Sequence, residues 1–131
     1  MSMKDPHEYF LYPGCLNFYR FPEYEYSASK VLEILDIKTK SLPESMCCGL
    51  YIEGQTENWE YLAAYNLSLA EKQGRGLITL CGGCTATFLR LKEKCLKDVA
   101  TRQRINNKLK KIGLEFNNTC QVKHILQVLW E

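Results

Sequence analysis

The chain has 131 residues, 46% of them hydrophobic, so it is long enough for one compact domain and too short for two ordinary ones. Its 17 basic and 15 acidic residues give a net charge of +2, which supplies no argument for nucleic acid or a membrane surface as a partner. No run approaches the roughly eighteen apolar residues of a membrane-spanning helix, and residues 1–10 lack a signal peptide's apolar segment. These observations predict a soluble, cytoplasmic protein with a single domain over residues 1–131.

Strands and helices are predicted to alternate from the start of the chain. The aromatic run Glu8 to Tyr12, followed by proline and glycine, predicts a strand that enters a turn. Apolar residues three and four positions apart predict an amphipathic helix over Tyr24 to Leu35, and a second strand is expected over Asp36 to Leu42. The predicted buried face of the helix consists of Tyr24, Ala28, Val31, Leu32 and Leu35.

The next predicted helix begins after Thr56, which can cap its first turn, and ends before Gly74. Its predicted apolar face consists of Trp59, Leu62, Ala63, Leu69 and Ala70. A strand follows over Leu77 to Leu80. Its only polar residue is Thr79, which is typical of a parallel strand that is covered on both faces.

The remaining third of the chain is mainly helical in pattern. One helical region is predicted over Thr85 to Ile112, with an interruption near Asp98 to Thr101 and an end at Gly113. A short strand over Gln121 to Lys123 and a last helix over His124 to Trp130 complete the prediction. The apolar residues expected to pack are Phe88, Leu91, Cys95, Val99, Ile105, Leu109, Ile112, Ile125, Leu126, Val128 and Leu129.

This alternation predicts an α/β fold, with a small parallel sheet of about four strands flanked by helices in a Rossmann-like arrangement. Five of the seven cysteines follow three of the predicted strands: Cys15, Cys47, Cys48, Cys81 and Cys84. Thirty-one residues separate the first cysteine from the adjacent pair, and thirty-one separate Gly49 from Cys81. Because ligands bind beyond the carboxyl ends of parallel strands, the five thiols are expected to converge on one site.

The residues leave three chemistries open for this site. An odd number of cysteines, two of them adjacent, argues against a disulfide framework and favours metal ligation in a reducing compartment. Zinc takes four ligands, and the adjacent Cys47 and Cys48 rarely fit one small ion together, so five thiols favour a multi-iron cluster. A redox dithiol of Cys81 and Cys84 is the third reading, although all four prolines precede Cys81, where a thioredoxin-like site needs a later one.

Several neighbouring residues are candidates to approach the thiols. Four glycines adjoin the cysteines, where a missing Cβ allows backbone amides to come close to sulfur: Gly14, Gly49, Gly82 and Gly83. His124, after the fourth predicted strand, is placed to donate a proton or hydrogen bond to the site. A structural hydrogen bond at a helix start is the alternative role for this histidine.

Other conspicuous residues have simpler interpretations. Cys95 lies on an apolar helical stripe and is expected to be a core residue, whereas Cys120 has no assigned role. Eight basic residues between Lys92 and Lys111 could dock an acidic electron donor, but a solvated helix face is the preferred interpretation. Aromatic residues at helical spacing, such as Trp59, are expected in the core or at its boundary.

The cysteine pattern, preceded by Tyr12-Pro13-Gly14, closely resembles the cysteine-rich CCG domain family, and in particular the N-terminal half of the B-type subunit of heterodisulfide reductase. Domains of this family also occur in subunits of succinate, glycolate and lactate oxidoreductases. The resemblance implies a noncubane [4Fe-4S] cluster held by Cys15, Cys47, Cys48, Cys81 and Cys84. It further implies an electron-transfer or disulfide-reducing subunit that receives electrons from an iron–sulfur partner within a redox complex.

The chain departs from that family in the number of motifs. The family's catalytic subunit carries two motifs in tandem, whereas only one is present here. The chain would then be half of a two-repeat subunit or one half of a homo-oligomer, and an oxidoreductase that is incomplete on its own. Some family members are thought to carry zinc, which keeps a structural zinc domain as the alternative.

Overall fold

The computed structural model describes residues 8–12, 14, 22–41, 48–49, 56 and 58–130. Within these residues, four strands form one sheet in the order β2-β1-β3-β4. The strands are β1 (Glu8–Tyr12), β2 (Lys38–Ser41), β3 (Gly76–Thr79) and β4 (Val122–His124). The helices are α1 (Pro22–Ile34), α2 (Asn58–Lys72), α3 (Gly82–Lys97), α4 (Val99–Leu109) and α5 (Ile125–Trp130), with a 3₁₀ turn at Lys110–Ile112.

Every strand pair in the sheet is parallel, which confirms the predicted α/β fold. The central strand β1 places alternate residues on opposite faces, as strand geometry requires. Tyr9 and Leu11 pack with Ala28 of α1 and Ile125 of α5. Phe10 and Tyr12, which share the other face, pack against α2, α3 and α4 in the larger core. The sheet is therefore covered on both faces, and its strand ends are left to build a site.

The predicted buried face of α1 is wrong for three of its five residues. Only Ala28 and Leu32 are buried, whereas Tyr24, Val31 and Leu35 are between 38% and 49% exposed. The helix begins at Pro22, because the fixed φ of proline suits the first helical position. It gives way to a turn in which Asp36 has a φ of 64°, so β2 begins at Lys38 and not at Asp36. Leu42 lies outside the described residues.

Helix α2 has the predicted signals at both ends. The Asn58 amide donates to the Thr56 hydroxyl at 3.1 Å, and Gly74 takes a left-handed φ of 68° just after the helix. Burial extends further around this helix than the apolar pattern indicates, because α3 and α4 pack on it as well as β3. Trp59 and Leu62 of the predicted face are only partly buried. Strand β3 then begins one residue earlier than predicted.

The third helical region is divided at Asp98, within the predicted interruption. The Asp98 carboxylate accepts hydrogen bonds from the amides of Ala100 and Thr101, and the Thr101 hydroxyl bond lowers the pKa of Asp98. The prediction that Val99 and Ile112 pack in the core is wrong. Both side chains are exposed, Val99 at the start of α4 and Ile112 shortly after its end. Helix α3 also begins three residues earlier than predicted.

The last strand is displaced by one residue from its predicted position, and the last helix begins one residue later than predicted and ends at Trp130 as predicted. His124 ends β4 and does not begin α5. Of the apolar residues predicted to pack in this helix, Ile125 is buried, whereas Leu126 and Leu129 are exposed. In the part of the chain that the structure describes, no helix has the length and apolar character needed to cross a membrane.

A buried carboxylate ties together the three helices on one face of the sheet. Glu60 of α2 is fully buried and forms ion pairs with Lys94 of α3 and Arg104 of α4, the latter at 2.9 Å. Arg104 also lies over the Tyr61 ring, with 5.9 Å between the guanidinium carbon and the ring centroid. Because a buried charge is stable only when it is paired, this arrangement fixes how the helices dock.

We expect Lys94→Met to lower the free energy of unfolding by about 2 kcal/mol. This is less than the roughly 3 to 5 kcal/mol for a buried charge left without a partner, because Arg104 remains. The matched control is Lys97→Met on the same helix, where the pair with Glu93 is exposed and spans 3.9 Å, and the change should stay within about 0.5 kcal/mol. Urea denaturation under anaerobic conditions measures both, and equal losses would contradict the assigned role of Glu60.

Candidate functional site

The pair of cysteines that closes the pattern lies where β3 passes into α3. Cys81 is the N-cap residue, with φ −125° and ψ 125°, and its thiol makes no capping hydrogen bond. Gly82, Gly83 and Cys84 form the first turn of the helix. Most of the motif is therefore helical, whereas the sequence predicted a loop that ends before a helix start at Thr85. Cys84 is thereby placed at the helix N-terminus, where the aligned peptide dipoles favour negative charge.

Thiols from two distant segments meet at this position. Cys48 and Cys84 belong to one buried cluster, and Cys81 packs against that cluster. Cys48 and Cys84 are buried, and Cys81 is partly exposed. The structure therefore brings together three of the five predicted ligands, whereas Cys15 and Cys47 lie outside the described residues.

The surroundings disfavour an isolated thiolate at Cys84. The hydrogen bond with Cys48 raises the pKa of Cys84 most strongly, followed by burial and by the charges of Cys48 and Cys81. A second or third negative charge in this small buried space would be uncompensated without a cation. A thiophilic metal removes that penalty, because it binds deprotonated thiols and supplies the compensating positive charge.

Two glycines allow the chain to approach the thiols closely. Gly14, just after β1, has a φ of 87°, and a Cβ there would lie 3.2 Å from Cys84 Sγ and 3.4 Å from Cys81 Cβ. Gly49, after Cys48, has a φ of 99°, and a Cβ there would lie 2.8 Å from the carbonyl oxygen of Trp59. Both positions therefore need glycine for its backbone conformation and for its lack of a side chain. A Cβ on Gly82 would meet no atom within 4 Å.

His124 has the structural role that was the alternative at the sequence level. Its Nδ1 accepts a hydrogen bond from the Leu126 amide at 3.1 Å, and its own amide donates to Gln127 Oε1 at 3.3 Å. It pairs with Thr79 at the carboxyl edge of the sheet. The imidazole thus satisfies an amide in the first turn of α5, as an N-cap residue does.

The two cysteines outside the pattern are buried in the larger core. Burial raises the pKa of Cys95 to about 11, and Glu60 adds to the effect. Burial raises the pKa of Cys120 to about 12, and its thiol donates to the Arg75 carbonyl at 3.7 Å. Their burial among apolar side chains is the usual environment of a free cysteine in a protein core.

Much of the basic region is engaged within the molecule. Besides Lys94 and Arg104, Lys108 lies 4.1 Å from the Tyr61 ring centroid. Lys92 donates to Asn118 Oδ1 at 3.1 Å, and burial lowers its pKa. These contacts give four of the eight cationic side chains partners inside the fold, whereas Lys97, Lys110 and Lys111 are exposed.

The thiols of Cys48, Cys81 and Cys84 suit a soft metal, but these three residues do not by themselves form a complete set of metal ligands. No three histidine, cysteine, aspartate or glutamate side chains among these residues stand at metal-binding geometry. The three contacting thiols are soft donors, which select zinc, copper or iron–sulfur clusters over hard cations. That all five pattern cysteines serve as ligands stays a prediction.

Thr79 and Thr85, which flank this pair of cysteines, were missed by sequence reasoning. Both side chains are buried, and their hydroxyl oxygens are in hydrogen-bond contact. The signals in the sequence were a polar residue in an otherwise apolar strand and a threonine directly after Cys84. Neither signal reveals that the two side chains meet.

A parallel sheet with cysteines gathered at its carboxyl edge defines a thiol-based domain of the redox or metal-binding class. The family model for the CCG cysteine-rich domain matches residues 9–89, and the chain belongs to that family.

Relatives in the family include subunits of redox enzymes. The chain is 31% identical over 124 residues to the B-type subunit of ferredoxin:CoB-CoM heterodisulfide reductase of Methanosarcina mazei, covering 92% of this chain and 41% of that protein. It is 28% identical over 127 residues to the 8-methylmenaquinol:fumarate reductase membrane anchor subunit of Wolinella succinogenes, covering 93% and 43%. The chain thus spans about two fifths of the length of the curated relatives it matches.

A solved structure has the same fold. A hypothetical protein from Helicobacter pylori superposes with a TM-score of 0.85 at 25% identity, over 97% of this chain and 26% of that one.

We expect Gly14→Ala to weaken the affinity for Co²⁺, a spectroscopic probe of thiolate sites, by about tenfold, because the new methyl group displaces Cys84 Sγ. The left-handed backbone should also cost about 1 to 2 kcal/mol of unfolding free energy. Gly113→Ala is the matched control, since Gly113 has a φ of 77° and a Cβ there would meet no atom within 4 Å. Gly113→Ala should lose about as much unfolding free energy as Gly14→Ala and keep the wild-type Co²⁺ affinity. Equal Co²⁺ affinities in both variants would show that Gly14 does not constrain the thiols.

Proposed function

We propose that this domain holds a noncubane [4Fe-4S] cluster and acts as an electron-transfer or disulfide-reducing subunit. The proposed ligands are Cys15, Cys47, Cys48, Cys81 and Cys84. The observation that carries the proposal is the packing of Cys48, Cys81 and Cys84 together, at the edge of the sheet where the other two cysteines are expected. Similarity to the B-type subunits of heterodisulfide reductases supports a redox role of this kind.

The chain's own residues would each make a limited contribution. The cysteines bind as thiolates, and their deprotonation becomes favourable only when positive charge is supplied. The first turn of α3 directs its dipole at Cys84, and Gly14 leaves space beside that sulfur. When bound, the cluster supplies electrons for reduction of a disulfide substrate.

Five ligands argue for a cluster over a zinc ion. A structural zinc site closes with four ligands in a tetrahedron, whereas iron–sulfur clusters are held by several cysteine thiolates. Consecutive side chains in a polypeptide generally point in different directions, so two adjacent cysteine ligands are better matched to separate metal atoms than to one ion. A zinc site that uses four of the five remains the competing outcome of the test.

The proposed activity needs further components. We propose that the single motif is one half of a two-motif site, because the curated relatives that the chain matches are more than twice its length. A second CCG domain, in tandem or in another copy of this chain, would supply the other half. An iron–sulfur electron-donor subunit would complete the complex. The described residues include five cysteines in the thiol form, which supports a reducing compartment such as the cytoplasm.

Anaerobic purification from iron-replete cells should yield about four irons per chain, with acid-labile sulfide and a paramagnetic spectrum in the oxidised protein. Cys48→Ser should strip or alter that spectrum, because it removes one proposed ligand. The matched control is Cys95→Ala, which removes an equally buried cysteine outside the pattern and should keep the iron content.

Zinc as the only metal in the anaerobic protein would contradict the proposed cluster. An iron content and spectrum that Cys48→Ser leaves unchanged would contradict the proposed ligand set.

A further inference from the structure

Two buried hydroxyl groups link the end of β3 to the first turn of α3, around the Cys81 and Cys84 pair. Thr79 is the last residue of β3 and is fully buried, and Thr85 is 8% exposed. Their Oγ1 atoms are in hydrogen-bond contact. Thr85 Oγ1 also donates to the carbonyl oxygen of Cys81 at 2.9 Å.

The direction of this chain of hydrogen bonds follows from the number of protons. A threonine hydroxyl carries one proton, and that of Thr85 is used on the Cys81 carbonyl. Thr79 must therefore donate to Thr85. The Cys81 carbonyl accepts a second hydrogen bond from the Thr85 amide at 3.0 Å. The hydroxyl and the amide of Thr85 therefore both hold the peptide group that follows Cys81.

This arrangement differs from an ordinary helix cap. Helices usually begin with a serine, threonine, aspartate or asparagine whose side chain binds a first-turn amide. Here the N-cap residue is Cys81, and its thiol makes no such bond. The Thr85 hydroxyl instead binds the carbonyl of Cys81, so the N-cap peptide is held from the buried side while the Cys81 thiol makes no capping bond.

We propose that Thr79 and Thr85 are positioning residues for the metal site. By holding the Cys81 carbonyl, they set how the thiols of Cys81 and Cys84 stand relative to each other before metal binds. The inference rests on the proposed function only in requiring that these thiols bind a metal. It does not depend on that metal being iron.

The test uses the full chain, with its thiols reduced and metal removed, titrated with Co²⁺ under anaerobic conditions. Thr85→Val keeps the shape of the side chain and removes the hydroxyl, and it should weaken Co²⁺ affinity by about 10- to 100-fold. The thiolate-to-cobalt charge-transfer absorption should also change. Thr85→Ser restores the hydroxyl and should return both readouts to nearly wild-type values.

Thr101→Val is the matched control. Thr101 is also buried, stands in the first turn of a helix, and donates its hydroxyl to Asp98 Oδ2 at 2.8 Å. Removing the Thr101 hydroxyl should lower the melting temperature about as much as Thr85→Val does and leave Co²⁺ binding unchanged. Thr79→Val gives a second test that leaves α3 unaltered, and it should weaken Co²⁺ affinity less than Thr85→Val, because the direct bond to Cys81 survives.

Wild-type Co²⁺ affinity and spectrum in both Thr85→Val and Thr79→Val would overturn the proposal, as would an equal loss of affinity in Thr101→Val. A failure of Thr85→Val to fold leaves Thr79→Val to decide. Absence of iron from the anaerobic wild-type protein, with these Co²⁺ responses intact, would contradict the proposed cluster and support the positioning role.

Discussion

The parallel register of the sheet is the constraint on which the site depends. Tyr12 of β1 pairs with Thr79 of β3, and Thr79 pairs with His124 of β4, so three strands end at the same level. The residues that follow β1 and β3 must therefore meet. This is why Gly14 comes close enough to Cys84 for an added Cβ to lie 3.2 Å from its sulfur, although seventy positions separate them in the sequence.

The thiol site is built on the larger core and not beside it. Cys48 and Cys84 belong to the same buried cluster as Tyr12 and Phe88, whose rings pack edge to face with centroids 5.2 Å apart. A thiolate is unfavourable here, because the interaction with Cys48 and then burial raise the pKa of Cys84. The same burial would exclude water from a bound metal. Metal binding and folding stability should accordingly be coupled.

Local pattern predicted the sheet better than the helix surfaces. Strand β1 has the predicted bounds, because a short aromatic run before proline and glycine has few alternatives. Hydrophobic periodicity shows which residues share a face of a helix, but not how much of that face the rest of the protein covers. The exposure of Tyr24 and Val31 was therefore not predictable. The contact of Thr79 with Thr85 depends on how the chain turns from β3 into α3, which hydrophobic periodicity does not show. The convergence of Cys48 with Cys84 was predictable, because it follows from topology.

The central claim is that the cysteine pattern holds a multi-iron cluster, and X-ray absorption at the metal edges of the anaerobically purified protein tests it most directly. We expect an iron edge with a sulfur shell and a second shell of iron neighbours, since several irons share the thiolates. A zinc edge with sulfur ligands at about 2.3 Å and no metal neighbour would contradict the claim, because that is the pattern of a single tetrahedral ion.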